Sequence, residues 1–130
     1  MSRDGGRADA SAAQFNARQL SEISGGDGEF EREIAREYLM QTAGLIDVMA
    51  RALLAGDLEA LRRAAHTLKG SSRTIGAEGI AVAAAELERT VDGALPTAVA
   101  TDLAHVRMLL AATELWLDRK FGSDGFRSAA

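Results

Sequence analysis

Leu58-Glu59-Ala60-Leu61-Arg62-Arg63-Ala64-Ala65-His66-Thr67-Leu68-Lys69-Gly70-Ser71-Ser72-Arg73-Thr74-Ile75 is the stretch that decides how the chain folds. Leu58, Leu61, Ala65, Leu68, Ser72 and Ile75 recur at alternating steps of three and four, which draws one core-facing stripe along an α-helix. At roughly 100° per residue, His66 projects roughly 130° from the middle of that stripe and faces solvent. The same projection gathers Glu59, Arg62, Arg63, Gly70 and Arg73 around His66, with Lys69 on the border between that face and the core.

Punctuation on either side sets the boundaries of this helix. Gly56 supplies a stop and Asp57 an N-cap, and Gly76 offers a left-handed cap after about residue 74. Downstream, a helix from Ala77 or Glu78 to about Val91 ends at Asp92-Gly93, and Pro96 or Thr97 opens a last long helix to about Phe121. Upstream, a short helix over 16–23 ends at Ser24-Gly25-Gly26, and Asp27 with Glu29 caps and charges the next, which starts near Gly28. Phe30, Ile34, Tyr38, Leu39, Leu45, Ile46, Met49 and Leu53 keep helical spacing to about Ala55, while Thr42-Ala43-Gly44 predicts a bend or a break between two collinear helices.

No segment alternates as a strand does. Four long helices with short connections predict an all-α, antiparallel up-and-down four-helix bundle over 14–121, with a short additional helix at its N-terminal side. Residues 1–13 and 122–130 are small, polar and Gly-bearing, and are expected to be flexible tails.

Composition narrows the chemistry. The chain has 130 residues, 47% hydrophobic and 26% charged, ordinary for one domain able to bury a core. Fifteen basic against nineteen acidic residues give a net charge of −4, so general attraction to nucleic acid or to an anionic membrane is not expected. There is no cysteine, which removes disulfides, thiol catalysis and thiolate metal sites. No stretch reaches the length of a membrane span, and a cytoplasmic protein is expected. With two histidines and no HExxH, no metal site is expected, and no phosphate-cradling glycine loop or nucleophile elbow occurs.

The remaining chemistry concentrates on His66. Imidazole is the side chain whose unperturbed pKa leaves a good nitrogen nucleophile free near neutrality. Gly70, inside a helix where glycine costs about 1 kcal/mol relative to alanine, leaves room for another molecule to approach the ring. Lys69, one turn after His66, can offset a phosphoryl charge of about −1.5 to −2, and Arg62 and Arg73 extend the positive field on both sides. Ser71 and Ser72 are poor mid-helix residues unless their hydroxyls bond back to the preceding turn or meet a partner. Ser72 is expected as a tight core contact, and Ser71 either as a small packing residue or as part of the exposed face. His105, with no lysine or glycine beside it, reads as a surface residue.

The run Ala65-His66-Thr67-Leu68-Lys69-Gly70-Ser71-Ser72-Arg73-Thr74-Ile75-Gly76-Ala77 closely resembles the signature of the histidine-containing phosphotransfer (HPt) domain family, approximately A-H-x-L-K-G-S-S followed by I-G-A. The resemblance extends more loosely from about Phe30, through Ala64 and the Glu86-Leu87-Glu88 segment, to the last helix. It implies a bundle whose histidine, here His66, accepts a phosphoryl group on Nε2 from a receiver-domain aspartate or a histidine kinase and hands it to a response-regulator aspartate, with Lys69 supporting the charge. In this family a Gln or Glu on the following helix often bonds the other ring nitrogen. Glu88 matches that position by spacing, because an antiparallel turn centred near Gly76-Ala77 puts residue 88 about opposite residue 66; Glu86 is the alternative.

The implied partners are response-regulator receiver domains and an upstream or hybrid histidine kinase. No cofactor is expected on this chain, because the Mg²⁺ site and the acceptor aspartate belong to the receiver. The chain is then a carrier rather than an enzyme, stand-alone and monomeric. The first short helix and the exposed side of residues 31–42 are the candidate docking surface, with at least one of Tyr38 and Leu39 in the core. Competing readings are a helix-turn-helix DNA-binding module built on Arg62, Arg63, Lys69 and Arg73, a phosphorylation-inactive helical interaction module, and the phosphorylated domain of a chemotaxis-type kinase.

Overall fold

The computed structural model describes residues 13–93 and 95–122. Among these residues five helices follow in order: α1 (Ala17–Ile23), α2 (Gly28–Ala55), α3 (Leu58–Ile75), α4 (Glu78–Thr90) and α5 (Pro96–Phe121). Each of α2 to α5 packs on its neighbour in sequence and α5 closes back on α2, so the four long helices form an antiparallel bundle with α1 lying against α2 and α3. No strand occurs among the described residues.

Local chemistry accounts for the breaks. The Asn16 side chain accepts from the Gln19 N–H at the start of α1, that of Asp27 from Glu29 and Phe30 at α2, and that of Asp57 from Ala60 at α3. Each satisfies backbone donors that the first turn leaves open. Gly56 and Gly76 adopt the left-handed conformation, with φ of 73° and 97°, which ends α2 and α3 and reverses the chain within two residues. At Gly76 a second constraint applies, because an added Cβ would lie 2.8 Å from the Asn16 carbonyl oxygen.

That contact belongs to an arm that fastens the α3–α4 turn. The Asn16 N–H donates to Gly76 O at 2.7 Å and the Gly79 N–H donates to Gln14 O at 2.9 Å. Gln19 Nε2 donates to the Arg73 and Thr74 carbonyls at 2.6 and 2.8 Å, satisfying acceptors that the last turn of α3 leaves open. Phe15 stacks on Trp116 with ring centroids 5.0 Å apart. Ala13, placed in the tail by its composition, is 1% exposed: packing on the bundle overrides the local polarity of the segment. The rest of the two expected tails, 1–12 and 123–130, lies outside the described residues.

One further expectation is narrowed and one needs correction. Of the two readings of 28–55, one bent helix or two collinear ones, the structure has a single element of 28 residues that continues through Gly44, carried across by Thr42, Ile46 and Met49, all buried on its inner side. Leu58 heads the stripe of α3 but is 46% exposed, because it occupies the first helical position at the end of the bundle. The remainder of the stripe, Leu61, Ala65, Leu68, Ser72 and Ile75, is buried. Tyr38 and Leu39 are both in the core, and the Tyr38 hydroxyl meets Ser72 Oγ at 2.6 Å, joining α2 to α3 by one buried polar contact. Burial raises the Tyr38 pKa above the usual phenol value.

Candidate phosphoacceptor site

His66 lies near the middle of α3, on the side away from Leu61, Ala65 and Leu68, and its side chain is 66% exposed. The tight turn at Gly76-Ala77 sends α4 back along α3 and brings Glu88 beside it. His66 Nδ1 lies 2.9 Å from Glu88 Oε2, and Lys69 Nζ lies 2.7 Å from Glu88 Oε1. One carboxylate therefore holds both side chains, using one oxygen for each. Glu86, the alternative partner on α4, turns outward and pairs with Arg89.

The charge states follow from the contacts. The hydrogen bond from Lys69 holds the Glu88 carboxyl below its ordinary range; partial burial opposes this and the contact with His66 adds to it. An ionised carboxylate can only accept, so Nδ1 carries the ring proton and donates it to Glu88. In the neutral ring this leaves the lone pair on Nε2, on an imidazole that solvent reaches. The arrangement supplies a nucleophilic nitrogen of fixed tautomer and a lysine within one helical turn.

The neighbouring residues divide into those turned to this face and those engaged elsewhere. Arg62 bonds Asp92, just beyond the end of α4, and Glu59 at 3.1 Å, so its charge already has two carboxylate partners. Those contacts hold its pKa above the usual arginine value, hydrogen bonding to Asp92 contributing most. Arg63 pairs with Glu59 at 3.4 Å. The Arg73 side chain is exposed on the last turn of α3. Gly70 is also exposed, and a Cβ built on it would find no atom within 4 Å, so nothing within the fold requires a glycine there. Ser71 Oγ donates to the Leu68 carbonyl at 3.2 Å, and Ser72 faces Tyr38 in the core. His105 is exposed on α5.

Beside Ser71 runs a groove of about 710 Å³ between α1, α2 and α3, lined by Ile23, Ile34, Met40, Thr74 and Ile75 among others. Met40 is 59% and Ile23 41% exposed, an apolar surface on the segments singled out as a docking face. Sequence reasoning missed the Lys69–Glu88 ion pair and the Arg62–Asp92 contact. The second was within reach, since the turn that sets residue 88 opposite residue 66 also sets residue 92 opposite residue 62. Among the described residues no group of three His, Cys, Asp or Glu side chains is placed to hold a metal ion, and no helix is long and apolar enough to cross a membrane.

Comparison with known proteins points to the same helices. The crystal structure of histidine-containing phosphotransfer protein B (HptB) from Pseudomonas aeruginosa PAO1 superposes with a TM-score of 0.77, covering 85% of this chain and 96% of that one at 20% identity; at that identity the likeness speaks for the fold. No curated protein matches the sequence significantly. The family model of the Hpt domain matches residues 33–116, a span that includes His66, Lys69, Gly70 and Glu88, and the chain belongs to the Hpt domain family, whose members are phosphocarriers in phosphorelay signalling.

Proposed function

We propose that His66 is the phosphoryl acceptor of this carrier. It takes the group on Nε2 from the aspartate of a receiver domain or from a histidine kinase, and yields it to the aspartate of a response regulator. The observation that carries this reading is the bond between Glu88 and Nδ1 on an exposed ring, which leaves Nε2 as the nucleophile. When the donor is a receiver aspartate, the Nε2 lone pair forms the N–P bond while the P–O bond to the donor carboxylate breaks and its electron pair leaves with the oxygen. Such transfers pass through a loose transition state in which positioning and charge neutralisation supply most of the catalysis.

Arg73 contributes positive charge on this side of the helix, Lys69 does so to the extent that it leaves Glu88, and Gly70 keeps the approach to the ring open. The groove between α1, α2 and α3 receives the receiver domain, whose own Mg²⁺ and aspartate complete the chemistry; this chain needs no cofactor of its own. It works as a monomer in the cytoplasm. A DNA-binding role gains no support, since Arg62, Arg63 and Lys69, three of the four cations of the basic patch, pair with carboxylates.

The test is phosphotransfer from phosphorylated receiver domains of the same genome. The label on the chain should be acid-labile and alkali-stable, as a phosphoramidate is, and His66→Gln should abolish it with the helical content unchanged. Label retained in that variant would defeat the assignment.

A further inference from the structure

Glu88 binds the proton side of His66 with one oxygen and Lys69 with the other, at 2.9 and 2.7 Å. The lysine nearest to a phosphoryl group on Nε2 is therefore neutralised before that group arrives. The pair is not a freely solvated one, because the Lys69 and Glu88 side chains are only 21% and 24% exposed. A phosphoryl carrying about −1.5 to −2 charge would compete with Glu88 for the same ammonium.

We propose that Glu88, by withholding Lys69, raises the transfer potential of phospho-His66 and so biases phosphate flow outward, from this chain to a receiver aspartate. The inference rests on the reading of His66 as the acceptor and adds a direction to it. In the outward step an oxygen of the receiver carboxylate bonds to phosphorus while the Nε2–P bond breaks and its electron pair returns to Nε2. The Nδ1 proton stays on the ring against Glu88 throughout, so the phosphorylated ring is an imidazolium, and the electron pair of the breaking N–P bond returns it to a neutral imidazole with no proton to be supplied. Lys69, released by the departing phosphoryl, returns wholly to Glu88. Glu88 acts through the ring and the lysine, and is a positioning residue.

The experiment is the equilibrium constant for transfer between a phosphorylated receiver domain and the chain, approached from both sides, for the wild type, Glu88→Gln, Lys69→Ala and the double variant. Gln keeps an oxygen to accept from Nδ1–H and removes only the charge. Glu88→Gln is expected to shift the equilibrium toward phospho-His66 by about five-fold, the upper range for one partly covered ion pair, and the shift should at least halve when Lys69 is absent. A purely orienting role alters forward and reverse rates alike and leaves the constant where it was. An equilibrium unchanged within two-fold overturns the proposal, as does a shift toward the phosphorylated receiver, which would mark loss of Glu88's hold on the imidazolium, and so does a shift as large or larger without Lys69, which would show that Lys69 is not the intermediary. If the wild type takes no label at all, the acceptor reading fails instead.

Discussion

Helix α3 is held on two sides by different physics. Its inner side presents Leu61, Ala65, Leu68 and Ser72, none of them exposed, and its single inner polar group is answered by Tyr38. Its outer seam with α4 is a short ladder of charge, Arg62 with Asp92 and then His66 and Lys69 with Glu88. Burial of apolar surface scales with area and is indifferent to small shifts in pH, whereas exposed and half-exposed ion pairs contribute little to stability and respond to protons. Stability is thus concentrated on one side of the helix and reactivity on the other, and substitutions should separate them.

The largest effect is expected on the inner side. Leu68→Ala removes a fully buried side chain and should cost about 2–5 kcal/mol in denaturant unfolding, while the transfer rate of the molecules still folded stays near that of the wild type. A large drop in rate per folded molecule would mean that the two sides are not separable.

Gly70→Ala should do the reverse. The new methyl has open space and improves helix propensity, so the fold should gain about 0.5–1 kcal/mol, yet transfer from a receiver domain should slow because the methyl intrudes on the approach to His66. Gly44→Ala on α2, equally unobstructed, should give a similar gain, and the ratio of the two transfer rates isolates access to the ring. Equal rates in the two variants would break the contrast.

The smallest effect concerns acid. Glu88 has a folded pKa below the ordinary value of 4.5, so its contribution is fully present above that value and is lost as pH falls from there through the folded pKa. The stability difference between the wild type and Glu88→Gln should therefore be constant near neutrality and shrink in unfolding curves taken at progressively lower pH below 4.5. A difference that persists unchanged in acid would show that Lys69 does not hold the carboxylate in its ionised form.

Much of this division is legible in the residues themselves. The stripe of α3 and the caps at Asp57 and Gly76 fix a helix and its phase, and phase alone puts His66 in solvent and Ser72 inside. The turn at Gly76-Ala77 then sets which residues of α4 come abreast, which together with the family resemblance favours Glu88 and leaves Glu86 as the alternative. What lies beyond such reasoning is the choice a long side chain makes among its possible partners. Lys69 can reach a neighbour on α4 or a group on His66, and spacing does not rank the two. The run through Gly44 is similar, since spacing does not choose between one helix and two collinear ones, and the buried Thr42, Ile46 and Met49 carry a single helix across. Ala13 is a third case, its burial decided by a surface that the preceding residues do not encode.

His66 and its carboxylate partner Glu88 lie 22 positions apart, both within one helical hairpin. Closing a loop of that length costs little chain entropy, and the contact needs no residue of α5. The short separation also means that the site is carried by a single uninterrupted piece of polypeptide: recombination that exchanged this hairpin between two bundles would move the reactive ring, its lysine and its carboxylate together, as one heritable unit.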